Sequence, residues 1–445
     1  MQERKSMYKV ILPFMLSLLM CCSSLLADDW PHWLGSSRDG VWHETGIVTK
    51  IPAEGLPVKW RVPIAGGYSG PAVANGKVFV TDFQRLTGDA TNGPSLRTKI
   101  TGIERLHCLD RTTGKKLWTH KYPCSYYVSY PSGPRATPAV SDGRVYSLGT
   151  EGNLICLDVQ SGKIVWQKEL KKEYGIKTPV WGFCSHPLIS GDLLYLMVGG
   201  EGTTIVAFDK NSGKQIWGAL DSEEAGYCPP TLITAGGVQQ LVVWTPTAIH
   251  GMHPKTGDLY WQVDLQPAYG MSVVSPRHYG DFLFASGIGT VGVCLKLDRD
   301  KPAVSEVWRG TSTTGVYCSN STPIIDNGII YGIGCRKGEL RAVELETGKR
   351  LWNSFKPTTG TRPQNHGTAF LTRQADQYLL FNESGELVLA DLSPNGYQEK
   401  GRVSLLEPTG EAFGRKVVWA APAYAHRCLF VRNDKEIICV DLSSQ

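Results

Sequence analysis

The feature that most constrains this chain is a short turn that recurs along it. Leu154–Trp166 reads LICLDVQSGKIVW, which is an alternating apolar strand, a polar turn and a return strand ending in tryptophan. Alternation with period two marks a strand, because successive side chains point to opposite faces. Asp158 is placed to hydrogen-bond the backbone ahead of it, and Gly162 to take the positive φ that a bulged hairpin turn needs. The same spacing returns at Asp110, Thr113, Gly114 and Trp118, and at Asp209, Ser212, Gly213 and Trp217. A fourth copy, His253, Thr256, Gly257 and Trp261, has histidine in the aspartate place; a fifth, Glu344, Thr347, Gly348 and Trp352, has glutamate. Tryptophans at 118, 166, 217, 261, 308 and 352 stand 44 to 51 residues apart. That period, with several strands in each repeat, predicts a ring of four-stranded blades, a β-propeller.

The blades can be counted. Pro71, Pro138, Pro187, Pro230, Pro276 and Pro323 each lead a strand, and Gly367 and Pro422 lead two more degenerate ones. Closing strands also number eight, namely those carrying Trp60, Trp118, Trp166, Trp217, Trp261, Trp308 and Trp352, plus Arg402–Leu405. Trp60 closes a blade whose other strands are absent around it, while Glu436–Leu442 matches the strand that precedes the repeat's turn. The N-terminal strand Leu56–Val62 is therefore expected to complete the C-terminal blade, which closes the ring and removes its open edge. The predicted fold is all-β, an eight-bladed propeller over residues 56–445 with an N-terminal lead-in over 28–55. The seven tryptophans are read as blade-docking residues. Each ring packed between blades buries ~150–250 Å², which contributes at most roughly 4–6 kcal/mol.

Residues 1–27 read as a secretory signal peptide, with a basic start at Arg4, Lys5 and Lys9, an apolar stretch Val10–Met20, and Ala27 before Asp28-Asp29. A periplasmic or secreted location follows. A membrane tether arises only if the signal stays uncleaved or Cys21 or Cys22 is lipidated. Cleavage lowers the net charge from +5 to +3, and no basic tract interleaved with aromatics follows, so nucleic acid is not an expected partner. Twelve cysteines in an exported chain raise the question of disulfides. Cys108, Cys156 and Cys439 share one repeat position in different blades, too far apart to bridge, and read as small buried hydrophobes. Cys124, Cys184, Cys228 and Cys318 fall in loops before blades, where one bridge stays open. Two segments exceed the blade plan: a polar insertion at Gln84–Glu104 and a Tyr/Ser/Pro-rich loop at Tyr122–Arg135. Such loops either carry function or decorate the ring.

With these residues assembled, the chain resembles a known family. The spacing D-x-x-[ST]-G-x-x-x-W, with a small or apolar residue two before the Asp, is similar to the tryptophan-docking motif of quinoprotein-type propellers. That superfamily includes the pyrroloquinoline quinone (PQQ) dehydrogenases and the BamB-like outer-membrane assembly lipoproteins. The start WPHWLGSSRDG is similar to the mature start of many exported bacterial PQQ-repeat proteins. The likeness covers about residues 29–442; its motif is specific for the fold and weak for the activity.

Residues just before each leading proline should line the mouth of the central funnel. Arg135, His186, Tyr227, Asn320, His366 and Trp419 are the candidates for binding a ligand there, with the two histidines four blades apart. Such a set would suit an anionic or quinone-like ligand, or would simply solvate the channel mouth. For a PQQ dehydrogenase, the resemblance implies oxygen donors around Ca²⁺, an Asp base and often adjacent disulfide-bonded cysteines. The only adjacent pair here, Cys21-Cys22, lies in the signal peptide, and the loops before the blades hold almost no Asp or Glu. A hard cation without oxygen donors is implausible, so no metal site and no catalytic residue are assigned. The expected function is an exported, non-catalytic binding or scaffold protein that holds a protein partner or small ligand at its funnel. The alternatives are a PQQ-dependent dehydrogenase-like oxidoreductase and a BamB-like outer-membrane assembly factor.

Overall fold

The structure is a computed structural model and describes residues 28–94 and 96–444; the predicted signal peptide, with Cys21 and Cys22, lies outside them. Eight sheets of four strands, one of which carries a fifth, form the blades of an eight-bladed propeller. Blade one is Ala72–Ala74, Lys77–Thr87, Ile100–Asp110 and Lys116–Tyr126, and blade two is Ala139–Ser141, Arg144–Leu148, Asn153–Asp158 and Ile164–Glu169. The other innermost strands begin at Leu188, Thr231, Arg277, Ile324, Ala369 and Ala423, within two residues of the predicted lead. Proline suits that place because it has no N–H to give to the ladder that starts behind it. Blade eight joins Ala423–Ala425, Cys428–Arg432 and Glu436–Asp441 to Val58–Pro63, so the ring closes by pairing the N-terminal strand with the C-terminal blade. No helix among the described residues is long and apolar enough to cross a membrane.

The repeated turn explains how blades adhere. Asp158 accepts the Ser161 N–H at 2.9 Å and its hydroxyl at 2.8 Å, and the Gly162 N–H donates to the Asp158 carbonyl at 2.8 Å. In the histidine copy, Nδ1 of His253 accepts the Thr256 N–H at 3.1 Å, so an imidazole nitrogen does the carboxylate's task. All eight closing strands then carry a register shift against the third strand, which twists them locally. Opposite each tryptophan stands a small residue: Cys108, Cys156, Cys294 and Cys439 pair with Trp118, Trp166, Trp308 and Trp60. All ten described cysteines are free, including Cys124, Cys184, Cys228 and Cys318.

Six of the seven indoles donate across to the following blade. Trp60 Nε1 donates to the Arg111 carbonyl at 2.9 Å, Trp118 to Val159 at 3.0 Å and Trp166 to Lys210 at 2.9 Å. Trp217, Trp308 and Trp352 do the same with Pro254, Leu345 and Ser393. Trp261 departs from the pattern. The next blade turns through Asp298–Lys301 without the motif glycine, and Trp261 bonds Gln240 Oε1 of its own blade at 2.7 Å instead. Where the motif glycine is present, the indole covers it: a Cβ on Gly162 (φ +67°) would stand 2.6 Å from the Trp118 ring, whereas one on Gly143 (φ +73°) would meet nothing within 4 Å. Gly143→Ala should therefore cost only the left-handed strain, about 1–2 kcal/mol. Gly162→Ala should cost about 1–3 kcal/mol more, because the docked ring must move. Urea midpoints of the two variants check this, and equal losses would refute the docking argument.

The Gln84–Glu104 insertion is strand at both ends, over Gln84–Thr87 and Ile100–Glu104, with a non-strand tip between them. Gln84 and Arg85 face solvent, while Glu104 is buried on Tyr122 and Tyr126, and Phe83, Ile100 and Tyr126 bury together with Val128. Rungs continue from Phe83↔Glu104 to Thr87↔Thr101, and Tyr122–Tyr126 also belongs to a strand, so blade one stands above its neighbours. Four or five extra residues at ~3.3 Å each raise it by roughly 15 Å. Its tip leans across the funnel, where Asn92 Nδ2 donates to the Glu411 carbonyl at 2.8 Å.

The stretch that reads as a lead-in has a task the sequence does not announce. Residues 29–48 pass up the centre of the ring and back down. At the far end, Asp29 accepts the Asn75 N–H at 3.0 Å, and then Trp30 bridges Val73 and the Pro31 carbonyl accepts from Val140. At the funnel end, Arg38 donates to the carbonyls of Pro187 at 3.0 Å and Pro230 at 3.5 Å, and Arg277 donates back to Arg38 and Asp39 carbonyls at 3.0 and 2.5 Å. The return limb Val41–Trp42 pairs parallel with Arg373–Gln374 as the fifth strand of blade seven, and Ile47 bridges Ser443. This axle is bonded to seven blades, one to five, seven and eight, and also packs through Trp42 on Tyr424 of blade eight.

Candidate functional site

The loops that precede the eight innermost strands converge on one cavity of about 480 Å³. Its floor is Trp33, carried up the channel by the axle. All six residues proposed from sequence, Arg135, His186, Tyr227, Asn320, His366 and Trp419, line it together. Sequence reasoning missed Trp33, Tyr130, Trp181, Tyr269 and Phe413, which also line it. Trp33 stands in the WPHWLGSSRDG start, and Phe413 tips an extra hairpin, Gly410–Ala412 with Arg415–Val417. Neither belongs to the repeat, so the repeat gave no signal for them.

Each polar wall group has a defined backing. His186 stacks on Trp33 with centroids 4.6 Å apart and planes 9° apart, and its Nδ1 accepts the Thr137 N–H at 2.8 Å. That bond leaves the proton on Nε2. Burial, with Arg38 nearby, holds this imidazole well below its usual range, so it is neutral. His366 stacks on Phe413 at 4.9 Å and 8° and shares a hydrogen bond with Ser319 at 3.0 Å; burial and then Arg415 lower it too. Trp419 Nε1 donates to Glu383 at 3.2 Å, but that carboxylate lies behind the wall and is held by Arg415 at 2.8 Å. Asn320 donates to Thr368 at 3.1 Å, and Tyr227 meets Trp181 edge to face. Burial pushes the Tyr68 phenol up to about 12 and the Cys184 thiol up to about 11.

Arg135 is the single formal charge in the lining, and no carboxylate among the described residues joins it. Its guanidinium lies over Tyr68 at 5.2 Å and donates to the carbonyls of Ser129 at 2.9 Å, Tyr130 at 2.6 Å and Gly133. The cavity is therefore a blind, aromatic, mildly cationic pocket made of nearly neutral donors.

A family profile described as outer membrane protein assembly factor BamB, of PQQ-repeat type, matches residues 102–354 and 245–445. The chain belongs to this family. Among curated relatives, the BamB of Yersinia pestis is 21% identical over 262 residues, covering 57% of this chain and 64% of that protein. The BamB of Shewanella oneidensis is 24% identical over 229 residues, covering 49% and 56%. The chain thus spans roughly three-fifths of the length of these relatives. Among solved structures, BamB from Moraxella catarrhalis superposes with a TM-score of 0.55 at 14% identity, over 87% of this chain and 99% of that one. A europium-containing methanol dehydrogenase superposes with a TM-score of 0.58 at 13% identity, over 93% and 89%. At such identities the likeness establishes the fold alone.

The dehydrogenase branch of this fold implies a quinone beside a metal ion, and the residues present do not fit that pair. A hard cation needs several oxygen donors, and the lining offers amides and hydroxyls but no carboxylate. No group of three or more His, Cys, Asp or Glu among the described residues is placed to hold a metal.

Proposed function

We propose that this protein is an exported, non-catalytic propeller scaffold that docks a protein partner on its funnel face. The observation that carries the reading is the union of a blind cavity with an apolar rim. Tyr269 is 82% exposed and Phe413 39%, and both line the cavity mouth. A small molecule sunk in the cavity would leave that rim in water, whereas a protein partner would cover it while anchoring a side chain below. Membership of the BamB family supports a scaffolding role in the cell envelope. The donor set of the cavity favours binding over quinone chemistry.

A photo-crosslinking residue in place of Tyr269, in cells producing the protein, tests this. The expected result is a discrete adduct with one envelope protein. It should fall about tenfold when Phe413→Asp places a charge on the rim, the effect of roughly 1.4 kcal/mol. Diffuse labelling, or an adduct indifferent to Phe413→Asp, would remove the rim from the interface. Micromolar, Ca²⁺-dependent binding of PQQ by the same protein would replace the scaffold reading with an enzymatic one.

A further inference from the structure

We infer that the loop 130–137 is an oxyanion subsite that receives an Asp or Glu carboxylate from the partner's docking segment. The inference rests on the docking reading above and names what the partner inserts.

Arg135, on this loop, points to it. Arg135 has no carboxylate within 4.0 Å among the described residues, although it lies in a recess where charge is normally paired. Carbonyls take three of its five N–H donors and fix its orientation, and the Cys184 sulfur also lies against the guanidinium, leaving at least one donor for a ligand. Tyr130 and Thr137 also line the cavity, but their hydroxyl oxygens are shielded from it and have no hydrogen-bond partner. A guanidinium with a spare donor and no acidic partner, recessed among aromatic rings, is what an oxyanion would complete.

The rest of the lining selects the kind of oxyanion. Neutral His186 and His366 add no second charge, and the wall is built from indole, phenol and phenyl rings. A highly charged group such as a nucleotide would be undercompensated by one cation in this low-dielectric recess. One carboxylate next to an aromatic or aliphatic side chain matches both the single charge and the rings. The exposed rim then makes the source a polypeptide segment rather than a free acid.

The test uses two blocked peptides, acetyl-Gly-Trp-Asp-Gly-amide and its Asn counterpart, titrated into the mature exported protein by calorimetry. The Asp peptide should bind about tenfold tighter than the Asn peptide. Arg135→Gln should erase that difference, while Arg135→Lys, which keeps the charge but loses the fork, should retain part of it. Equal affinity of the two peptides, no binding of either, or a difference that survives Arg135→Gln would overturn the inference. Sodium acetate stabilising the protein as much as the Asp peptide does would also overturn it, since the subsite would then serve free acids. If the peptides do not discriminate while the Tyr269 adduct still depends on Phe413, the carboxylate subsite falls and the docking face stands.

Discussion

Replacing Trp42 by alanine is expected to cost about 3–5 kcal/mol of folding stability, the range for emptying a buried aromatic site. Trp42 is 1% exposed, and its ring lies 5.3 Å from Tyr424, which meets Trp30 edge-on at 5.6 Å. Its indole N–H has no partner, so the loss comes from packing and strands no acceptor. The same cluster holds Leu379 and Phe381 of blade seven, Leu429 and Phe430 of blade eight, and Val78 of blade one. The cavity would therefore open at the seam where the last blades meet the first, and it would loosen the axle that ties the ring to its centre. A chain of this size has a large unfolding entropy, so Tm should move only about 1 °C per kcal/mol; the urea midpoint is the better readout. Trp33→Ala lies on the same segment but at the open cavity floor and should cost much less. Equal losses at the two positions, or under about 1 kcal/mol at Trp42, would mean that the axle is not part of the cooperative core.

The blades were legible because the chemistry of the repeated turn is local. Asp158 bonds a residue three places on, Gly162 closes back onto Asp158, and the spacing alone reveals both. Ring closure was legible from Trp60, a closing strand without local partners, and from Glu436–Asp441, a third strand without a following one. The axle was not legible, because its partners are remote. Asp29 reaches His426 across 397 positions, and only two residues of the segment form a regular strand. The extended strands of blade one were hidden for a related reason. Gln84, Arg85 and Thr87 read as loop until they are paired with residues that lie beyond a polar tip. In the cavity, position before a leading proline placed six residues on the funnel. The floor and part of the rim come from outside the repeat, as Trp33, Tyr269 and Phe413 show. Trp261 shows the converse, a motif residue whose local pattern held while its expected neighbour in the next blade was missing.

Stability is expected to fall as pH drops below about 6.5, in two stages. Burial lowers His107, only partly offset by Asp82 at 3.1 Å, and Lys116 and Arg105 lower it further. Burial and then Arg38 depress His186 and bring His32 to about 3. Burial also lowers His250, and burial with Arg415 lowers His366. In each case the folded value lies below the unfolded one, so the unfolded chain takes the proton first. The stabilisation is complete above the unfolded value and is lost as pH falls toward the folded one. A buried histidine that is still neutral two units below its unfolded value costs about 2.7 kcal/mol. Asp82 supplies the second stage. Burial raises its carboxyl, but hydrogen bonds from His107 and Arg105 outweigh burial and hold it below the usual range. Its contribution is present above about pH 4 and lost beneath. Urea midpoints at about pH 8, 6.5, 5.5 and 4.5 should therefore be level at first and then decline with increasing slope. His186→Gln, whose carbonyl can still accept the Thr137 N–H, should shave up to about 1.4 kcal/mol per pH unit from that slope. A midpoint level from about pH 8 to 5 would mean that these histidines gain protons in the folded state without penalty. That requires the channel around the axle to open to water, and the Trp33–His186 stack would then not be the fixed floor on which the docking proposal depends.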